Sequence, residues 1–445
     1  MSIPLRPSTR ELVDTGRRLR KQIPRSSLAV LTTSDRDPLG ILEEQNSTRL
    51  PELIPLRTER MSHSAFTFYR GTAAIMAADL ANSPTTDIRV AACGDAHVAN
   101  FGFYASPQRT LVFDLNDFDE AAVAPWEWDL KRLVASVIIG GRDAGRTPGR
   151  IESAARHTVL AYRHALRASL EHTPLERYFT HFDPEGGVVQ ALDRSSRQAL
   201  QAAIKGARKR TGGRAVRRLT TRGSDGRLAF VSIPPTMTPL PADRQALAQS
   251  AIDGYLRSAK PDVALMLSQY SQVDTARRVV GVGSVGTRCV LVAFQDGEGH
   301  GLIMQAKEAG PSVLATYGRI AQPAVVADLV AEHGQGARVV SLQRILQAVS
   351  DPFLGWVQLD DVDLYVRQFH DLKGGFEFAE LDDRPYLDYS RACAITLARA
   401  HSQSGQAAVA AGYIGSGRAV ADAIVEWSLA YADMAEADYR AFLAE

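Results

Sequence analysis

Apolar residues recur at helical spacing over residues 64–82, where Ala65, Phe68, Tyr69, Ala73, Met76 and Leu80 share one face and Arg70 with Gly71 interrupts it. The same period predicts helices over 130–140, 150–171, 192–206, 338–349, 389–401 and 419–443, and a basic helix over 11–21. Between residues 88 and 115 the period shortens to that of strands. Residues 88–92 feed a loop at Gly94 and Asp95, and 101–104 with 110–115 form a hairpin around Ala105-Ser-Pro-Gln108. A second β-rich stretch, 279–309, reads strand, glycine turn, strand (288–294), turn (296–299) and strand (302–306). Residues 353–359 and 364–369 add two strands, and 370–375 follow as a hinge-like turn. The chain is therefore expected to be α+β.

Two segments resist the pattern. Residues 1–60 read as a leader that wraps a surface, with a disordered arm as the alternative. Pro51 and Pro55 favour extended backbone there over helix. Residues 205–222 carry Lys205, Arg208, Lys209, Arg210, Arg214, Arg217, Arg218 and Arg222 without an acid, and Gly212-Gly213 argues for a mobile loop. A polyanion could bind such a run. No aromatic residues interleave with it, so stacking on nucleic acid is not expected.

Composition narrows the class. The chain has 445 residues, 45% of them hydrophobic, enough for more than one core, and a net charge of +1 leaves no global field for nucleic acid or membrane. Cys93, Cys289 and Cys393 are too sparse for a disulfide framework or a zinc site and fit a reducing compartment. Residues 1–25 lack the apolar core of a signal peptide, and no run is long enough for a membrane helix, so a cytoplasmic protein is expected. His157, His164 and His172 read as surface or packing histidines, Arg70 as the structural partner of a carboxylate with a reach toward the site as the alternative, and Asp129 as a structural carboxylate capping amides at the start of a helix.

Candidate chemistry sits in two places. In Cys93-Gly-Asp-Ala-His-Val-Ala-Asn100, Asp95 and Asn100 stand in D-x-x-x-x-N spacing, which can aim a carboxylate at a substrate hydroxyl and an amide oxygen at a metal. The strand after it delivers Asp114, Asp117 and Asp119. Asp114 or Asp117 would join Asn100 in holding Mg²⁺: Asp114 mirrors Asn100 across the turn, and Asp117 fits an Asp-Phe-x pattern. His97 would buttress the loop. Gly281, Gly283 and Gly286 form G-x-G-x-x-G with Ser284 inside it. Strand-type residues follow, which favours a hairpin lid over phosphates rather than a dinucleotide fold, with an ordinary β-meander as the alternative. Lys307, near the end of the third strand, can pair with ATP phosphates. Its acidic partner is open among Glu308, Glu332 and the substitute Gln343.

These stretches together resemble a bacterial family known as domain of unknown function 2252. The resemblance rests on Arg49-Leu-Pro-Glu-Leu-Ile-Pro55, Phe68-Tyr-Arg-Gly71, Cys93–Gly102, Asn116-Asp-Phe-Asp-Glu120, Trp126-Glu-Trp-Asp-Leu-Lys-Arg-Leu133, Gly283-Ser-Val-Gly-Thr-Arg288, Gln305-Ala-Lys-Glu-Ala309 and Tyr365-Val-Arg-Gln-Phe-His-Asp371. That family is similar in turn to protein kinases and aminoglycoside phosphotransferases. The resemblance implies a two-lobed, protein-kinase-like fold with circularly permuted motif order, because Asp95 precedes the glycine turn and Lys307. Its parts would be a leader (1–60), the catalytic-loop half of a larger helical lobe (61–260), a smaller antiparallel β-rich nucleotide lobe (261–375) and C-terminal helices completing the helical lobe (376–445). It implies an ATP- and Mg²⁺-dependent phosphotransferase acting on an unidentified hydroxyl acceptor, small molecule or protein. The alternatives are a nucleotide-binding pseudokinase scaffold, nucleotidyl (AMP) transfer, and a polyanion-binding protein using 205–222.

Overall fold

In the computed structural model, which describes residues 5–186, 192–359, 362–369 and 371–445, the chain is a mixed α+β protein. Residues 1–4 of the expected leader and His370 of the expected hinge lie outside the described residues.

Twelve strands occur among the described residues: β1 Arg89–Ala92, β2 Phe101–Ala105, β3 Leu111–Leu115, β4 Ala122–Pro125, β5 Thr220–Arg222, β6 Leu228–Phe230, β7 Met237–Pro239, β8 Ser271–Arg278, β9 Cys289–Gln295, β10 Gly301–Glu308, β11 Gly355–Gln358 and β12 Asp363–Gln368. Six of them make one antiparallel sheet in the order β11-β12-β10-β9-β8-β7, and β1-β4, β2-β3 and β5-β6 are separate antiparallel pairs. The two-residue period of β10 divides its side chains between the faces of the large sheet. Met304 and Ala306 pack with Val292, Phe294, Leu364 and Val366 under Tyr255 of the helix Ala242–Ser258. Ile303 packs with Leu291 and Ala276 against Ala215, Val216 and Leu219. Lys307 shares the parity of Ile303.

The largest core lies among helices. Trp126–Asp143 is buried nearly all round, from Trp126 to Gly141, and packs with Pro148–Ser169, Asp383–His401 and Arg418–Ala444. A helix buried on every side belongs inside a large protein, and its charged members Glu127 and Lys131 are compensated. Glu127 accepts from the Thr86 backbone N–H at 2.6 Å and the Thr86 hydroxyl at 2.8 Å, and the Lys131 ammonium stands 4.4 Å from the centre of the Trp427 ring.

Several sequence expectations are corrected. Beyond Thr9–Leu19, which matches the expected basic helix, the described part of the leader forms further helices, Pro38–Ser47 and Ile54–Met61. Pro51 and Pro55 do not extend the chain. They occupy first-turn positions of a short 3₁₀ turn and a helix, where a missing N–H breaks no bond. Arg36 ties this segment to the helical body by pairing with Asp79 at 2.7 Å and Asp438 at 2.7 Å. The basic run is not a loop. Its first residues end the helix Arg194–Arg208, and Gly212-Gly213 opens a second helix, Gly212–Leu219, whose Ala215, Val216 and Leu219 lie buried on the sheet. Packing of that short apolar stripe outweighs the glycines' preference for turns.

The large sheet recruits β7, upstream of the expected boundary at 261. The strand entering the glycine turn is β8, which ends at Arg278; its mixed, half-buried residues hid it from a pattern search. The expected helix 338–349 starts at Ala324 and is broken at Gly334. No described helix is long and apolar enough to cross a membrane.

Candidate functional site

The loop after β1 is held from below by the buried helix. Asp129 accepts from the Cys93 N–H at 2.6 Å and the Gly94 N–H at 2.9 Å. It therefore caps the amides of this loop rather than those of its own helix, a structural role with a different client from the expected one. His401 contacts Asp129 at 3.1 Å through Nε2, and its Nδ1 meets the Tyr162 hydroxyl at 2.7 Å. Gly94 adopts φ +80, and a Cβ there would stand 2.2 Å from the Glu120 carbonyl oxygen, so this turn requires glycine. Val98 N–H donates to the Ser136 hydroxyl at 3.0 Å and Tyr389 donates to the Val98 carbonyl at 2.7 Å.

Asp95 lies in a cleft of about 460 Å³ together with His97, Asn100, Asp117, Asp119, Glu120, Glu308, Arg49, Arg70 and the turn residues Gly281, Val282, Gly283 and Ser284. Arg132 donates to Asp95 Oδ1 at 2.9 Å through Nε, and its guanidinium lies 3.9 Å from the centre of the Tyr69 ring. Burial pushes the Asp95 carboxyl up from the usual carboxylate range, against the pull of Arg132. Burial, helped by Arg70 and Arg132, holds His97 well below its ordinary value, which keeps the imidazole neutral. Its Nε2 lies 3.6 Å from Asp95 Oδ2, while Nδ1 is buried without a hydrogen-bond partner. Asn100 donates through Nδ2 to the Asp95 carbonyl at 2.8 Å, leaving its Oδ1 unengaged among the described residues.

Lys307 on β10 does not itself line the cleft and meets it through the lining carboxylates Asp117 and Asp119. Its ammonium contacts Asp119 Oδ2 and lies 3.8 Å from Asp117 Oδ1, joining residues 188 positions apart in the chain. Tyr365 on β12 donates to Asp119 Oδ1 at 2.7 Å. Burial works against the ammonium charge, but Asp117 and Asp119 hold Lys307 well above its ordinary value. Asp117 lies below the usual range: burial pushes it up, and Lys307, Arg367 and Lys373 together outweigh that push. The three sequence candidates for the partner of Lys307 are all engaged elsewhere. Glu308 binds Arg288 at 2.9 Å, Glu332 lies 3.5 Å from His333, and Gln343 donates to Gln347 at 2.9 Å. The helix Ala324–Leu346 sends Arg338 inward instead, donating to the carbonyls of Asp119, Ala121 and Gly310.

Asp114 is a further correction. It is 2% exposed, accepts from the Leu115 N–H at 2.8 Å and the Ala348 N–H at 2.9 Å, and does not line the cleft. Strand alternation turns it inward, whereas Asp117, beyond the end of β3, faces the cleft. Gly286 also falls outside the cleft lining. With φ +93 it packs on Arg49, and its carbonyl accepts from the Leu50 N–H at 2.9 Å. Gly281, Gly283 and Ser284 do line it, and among the described residues the N–H groups of 281–284 donate to nothing. Arg70, expected to pair with a carboxylate, has none within ion-pair distance among the described residues.

A metal was expected, and no group of three or more His, Cys, Asp or Glu side chains suited to a metal occurs among the described residues. Mg²⁺ does not demand such a cage. It commonly takes one or two carboxylates and completes its shell with phosphate oxygens and water. Asp117, ionised and facing the cleft beside Asn100, fits that donor set.

Sequence reasoning counted Asp119 among the carboxylates delivered to the site without giving it a role, and did not single out Tyr365, Arg132 or Arg49 as site residues. Each lies within a stretch that carries the family resemblance, and each shows its role only through a contact distant in the chain.

No curated protein and no solved structure matches this chain. The sequence profile of a family described as an uncharacterised protein conserved in bacteria (DUF2252) matches residues 49–445. With nearly the whole chain matched, the protein belongs to the DUF2252 family.

Proposed function

We propose that this chain is a two-lobed, protein-kinase-like phosphotransferase with circularly permuted motif order, which moves the γ-phosphoryl group of ATP to a hydroxyl acceptor. The observation that carries the reading is the convergence of Asp95, Asn100 and Asp117 in one cleft beside the turn residues Gly281, Gly283 and Ser284, with the buried Lys307, outside that lining, 3.8 Å from Asp117. Two further features support it. The helix Ala324–Leu346 connects β10 to β11, and the sheet order β8-β9-β10-β12-β11 places the lysine strand centrally. The free amides of 281–284 suit an anion. Fold likeness alone would not carry the function.

In this reading the acceptor oxygen attacks the γ-phosphorus, the bond between that phosphorus and the β–γ bridging oxygen breaks, and ADP leaves. The hydroxyl proton passes to Asp95, whose carboxylate Arg132 holds in place. Lys307 binds phosphate oxygens. Asn100 and Asp117 would hold Mg²⁺, which supplies charge neutralisation on the phosphates. Asp119 and Tyr365 position Lys307. His97, neutral and buried, makes no side-chain hydrogen bond among the described residues, so the expected buttressing of the loop is not among its contacts, and its Nε2 stands 3.6 Å from Asp95.

The pairing of Lys307 with both Asp117 and Asp119 favours a second reading, nucleotide binding without turnover, because the ammonium engages a carboxylate that the metal would need. Product analysis with ATP labelled at the α or the γ position separates the readings. Slow release or transfer of the γ label, lost in Asp95→Asn, is expected. Transfer of the α label would mean AMP transfer, and binding without release of either label would mean a pseudokinase.

A further inference from the structure

Most arginines around the core have a partner within the chain. Arg36 is shared between Asp79 and Asp438, Arg132 holds Asp95, Arg288 holds Glu308, and Arg338 donates to three carbonyls. Two cleft arginines differ. Among the described residues Arg70 makes no side-chain hydrogen bond and no ion pair, and its Nε is buried without a partner. Arg49 donates only through Nη1, to the Val285 carbonyl, and its Nε is likewise buried and unpartnered. Both line the cleft together with Asp95, Asp117, Asp119 and Glu120. Both adjoin the glycine turn: a Cβ on Gly283 would lie 3.2 Å from the Arg70 carbonyl, and one on Gly286 would lie 2.9 Å from Arg49 Cβ.

Burying a guanidinium without a carboxylate is unfavourable unless an anion completes it. The planar fork of donors matches phosphate oxygens, and the unengaged amides of 281–284 lie in the same wall. We propose that Arg49 and Arg70 form a phosphate clamp in the wall of the cleft, separate from Lys307 and supplied by the segment that precedes the loop 93–100. The phosphate belongs either to the tail of the nucleotide or to a phosphorylated acceptor. The clamp deepens the phosphotransferase reading, but phosphate binding by the two arginines does not depend on turnover.

The test is calorimetric titration of the full chain with inorganic phosphate, without nucleotide, in wild type, Arg70→Gln, Arg70→Lys, Arg49→Gln and Lys307→Ala. Loss of charge-assisted hydrogen bonds should weaken phosphate binding roughly 10- to 100-fold in Arg70→Gln and Arg49→Gln. Arg70→Lys should fall between wild type and Arg70→Gln. Lys307→Ala should bind phosphate within about threefold of wild type, so a failed nucleotide site and a failed clamp are told apart. Arg70→Gln removes no side-chain hydrogen bond among the described residues and should keep the wild-type melting temperature, so it carries the test if Arg49→Gln does not fold. Repeating the titration with saturating Mg²⁺-ATP identifies the source. Exclusion of phosphate assigns the clamp to the nucleotide tail, and continued binding assigns it to the acceptor. No phosphate binding by wild type at millimolar concentrations, or equal binding by wild type and Arg70→Gln, would overturn the proposal.

Discussion

The loop 93–100 and the turn 279–288 face the same cleft and are held in opposite ways. The loop is tied down from within the body. Asp129 takes two of its amides, Ser136 a third, Tyr389 a carbonyl, and Arg132 the Asp95 carboxylate. Among the described residues the amides of the turn at 281–284 are unengaged. The turn is fixed through carbonyls, by Arg60 on Gly281, Arg49 on Val285 and the Leu50 N–H on Gly286. A group that must present one carboxylate in one orientation gains from rigid support. A wall that must accept an anion gains from donors that have no partner until the anion arrives. On the proposed phosphotransferase reading, the difference between the two regions is the difference between orienting and receiving.

The sharpest way to break this comparison is at Asp95. Replacing a positioned proton acceptor should lower turnover by about 10²–10⁴-fold, and Asp95→Asn should leave ATP affinity within about threefold in a binding titration. Wild-type turnover in that variant would remove Asp95 from the chemistry. Next comes stability. Asp129→Ala strands two buried amides and should destabilise the protein by about 3 kcal/mol, whereas Ser284→Ala, in the receiving wall, should change stability by about 0.5 kcal/mol or less; urea unfolding measures both. Equal losses would mean that the two regions are supported alike.

A third pair of variants separates two carboxylates close in sequence. Asp114→Ala should destabilise by about 2 kcal/mol through its two buried backbone partners and leave Mg²⁺-dependent nucleotide binding intact. Asp117→Ala should remove the Mg²⁺ dependence with a smaller stability loss. The reverse outcome would return Asp114 to the site.

The smallest expected effect is one of pH. Burial raises the Glu120 carboxyl to about 7, while Val313 N–H, its nearest donor, opposes the shift. The folded state therefore holds that proton more tightly than the unfolded state does. The resulting stabilisation is full below the ordinary carboxylate value and is lost as pH rises through about 7. Glu120→Gln should flatten the decline in stability across that window, and unchanged pH profiles would count against the burial of this group.

Much of this was legible in the sequence where a signal is local. The D-x-x-x-x-N loop, the hairpin β2–β3, the interruption of the helix at Arg70-Gly71 and the β-strand character after the glycine turn all follow from spacing. Three kinds of feature were not legible. Asp114 and Asp117 differ only in the side of the chain they face, and the end of β3 decides that. The partner of Lys307 lies 188 residues away, so neighbours such as Glu308 and Glu332 misled. The basic run 205–222 looked like a loop because its charges and glycines dominate the pattern, whereas three buried apolar side chains fold part of it onto the sheet.

The most direct test of the nucleotide site is thermal unfolding with Mg²⁺-ATP, wild type beside Lys307→Ala. A ligand at 100 times its dissociation constant stabilises by about 2.7 kcal/mol. The account predicts a stabilisation of that order in wild type and none in Lys307→Ala. No stabilisation in wild type at saturating nucleotide, or an equal one in both proteins, would contradict it.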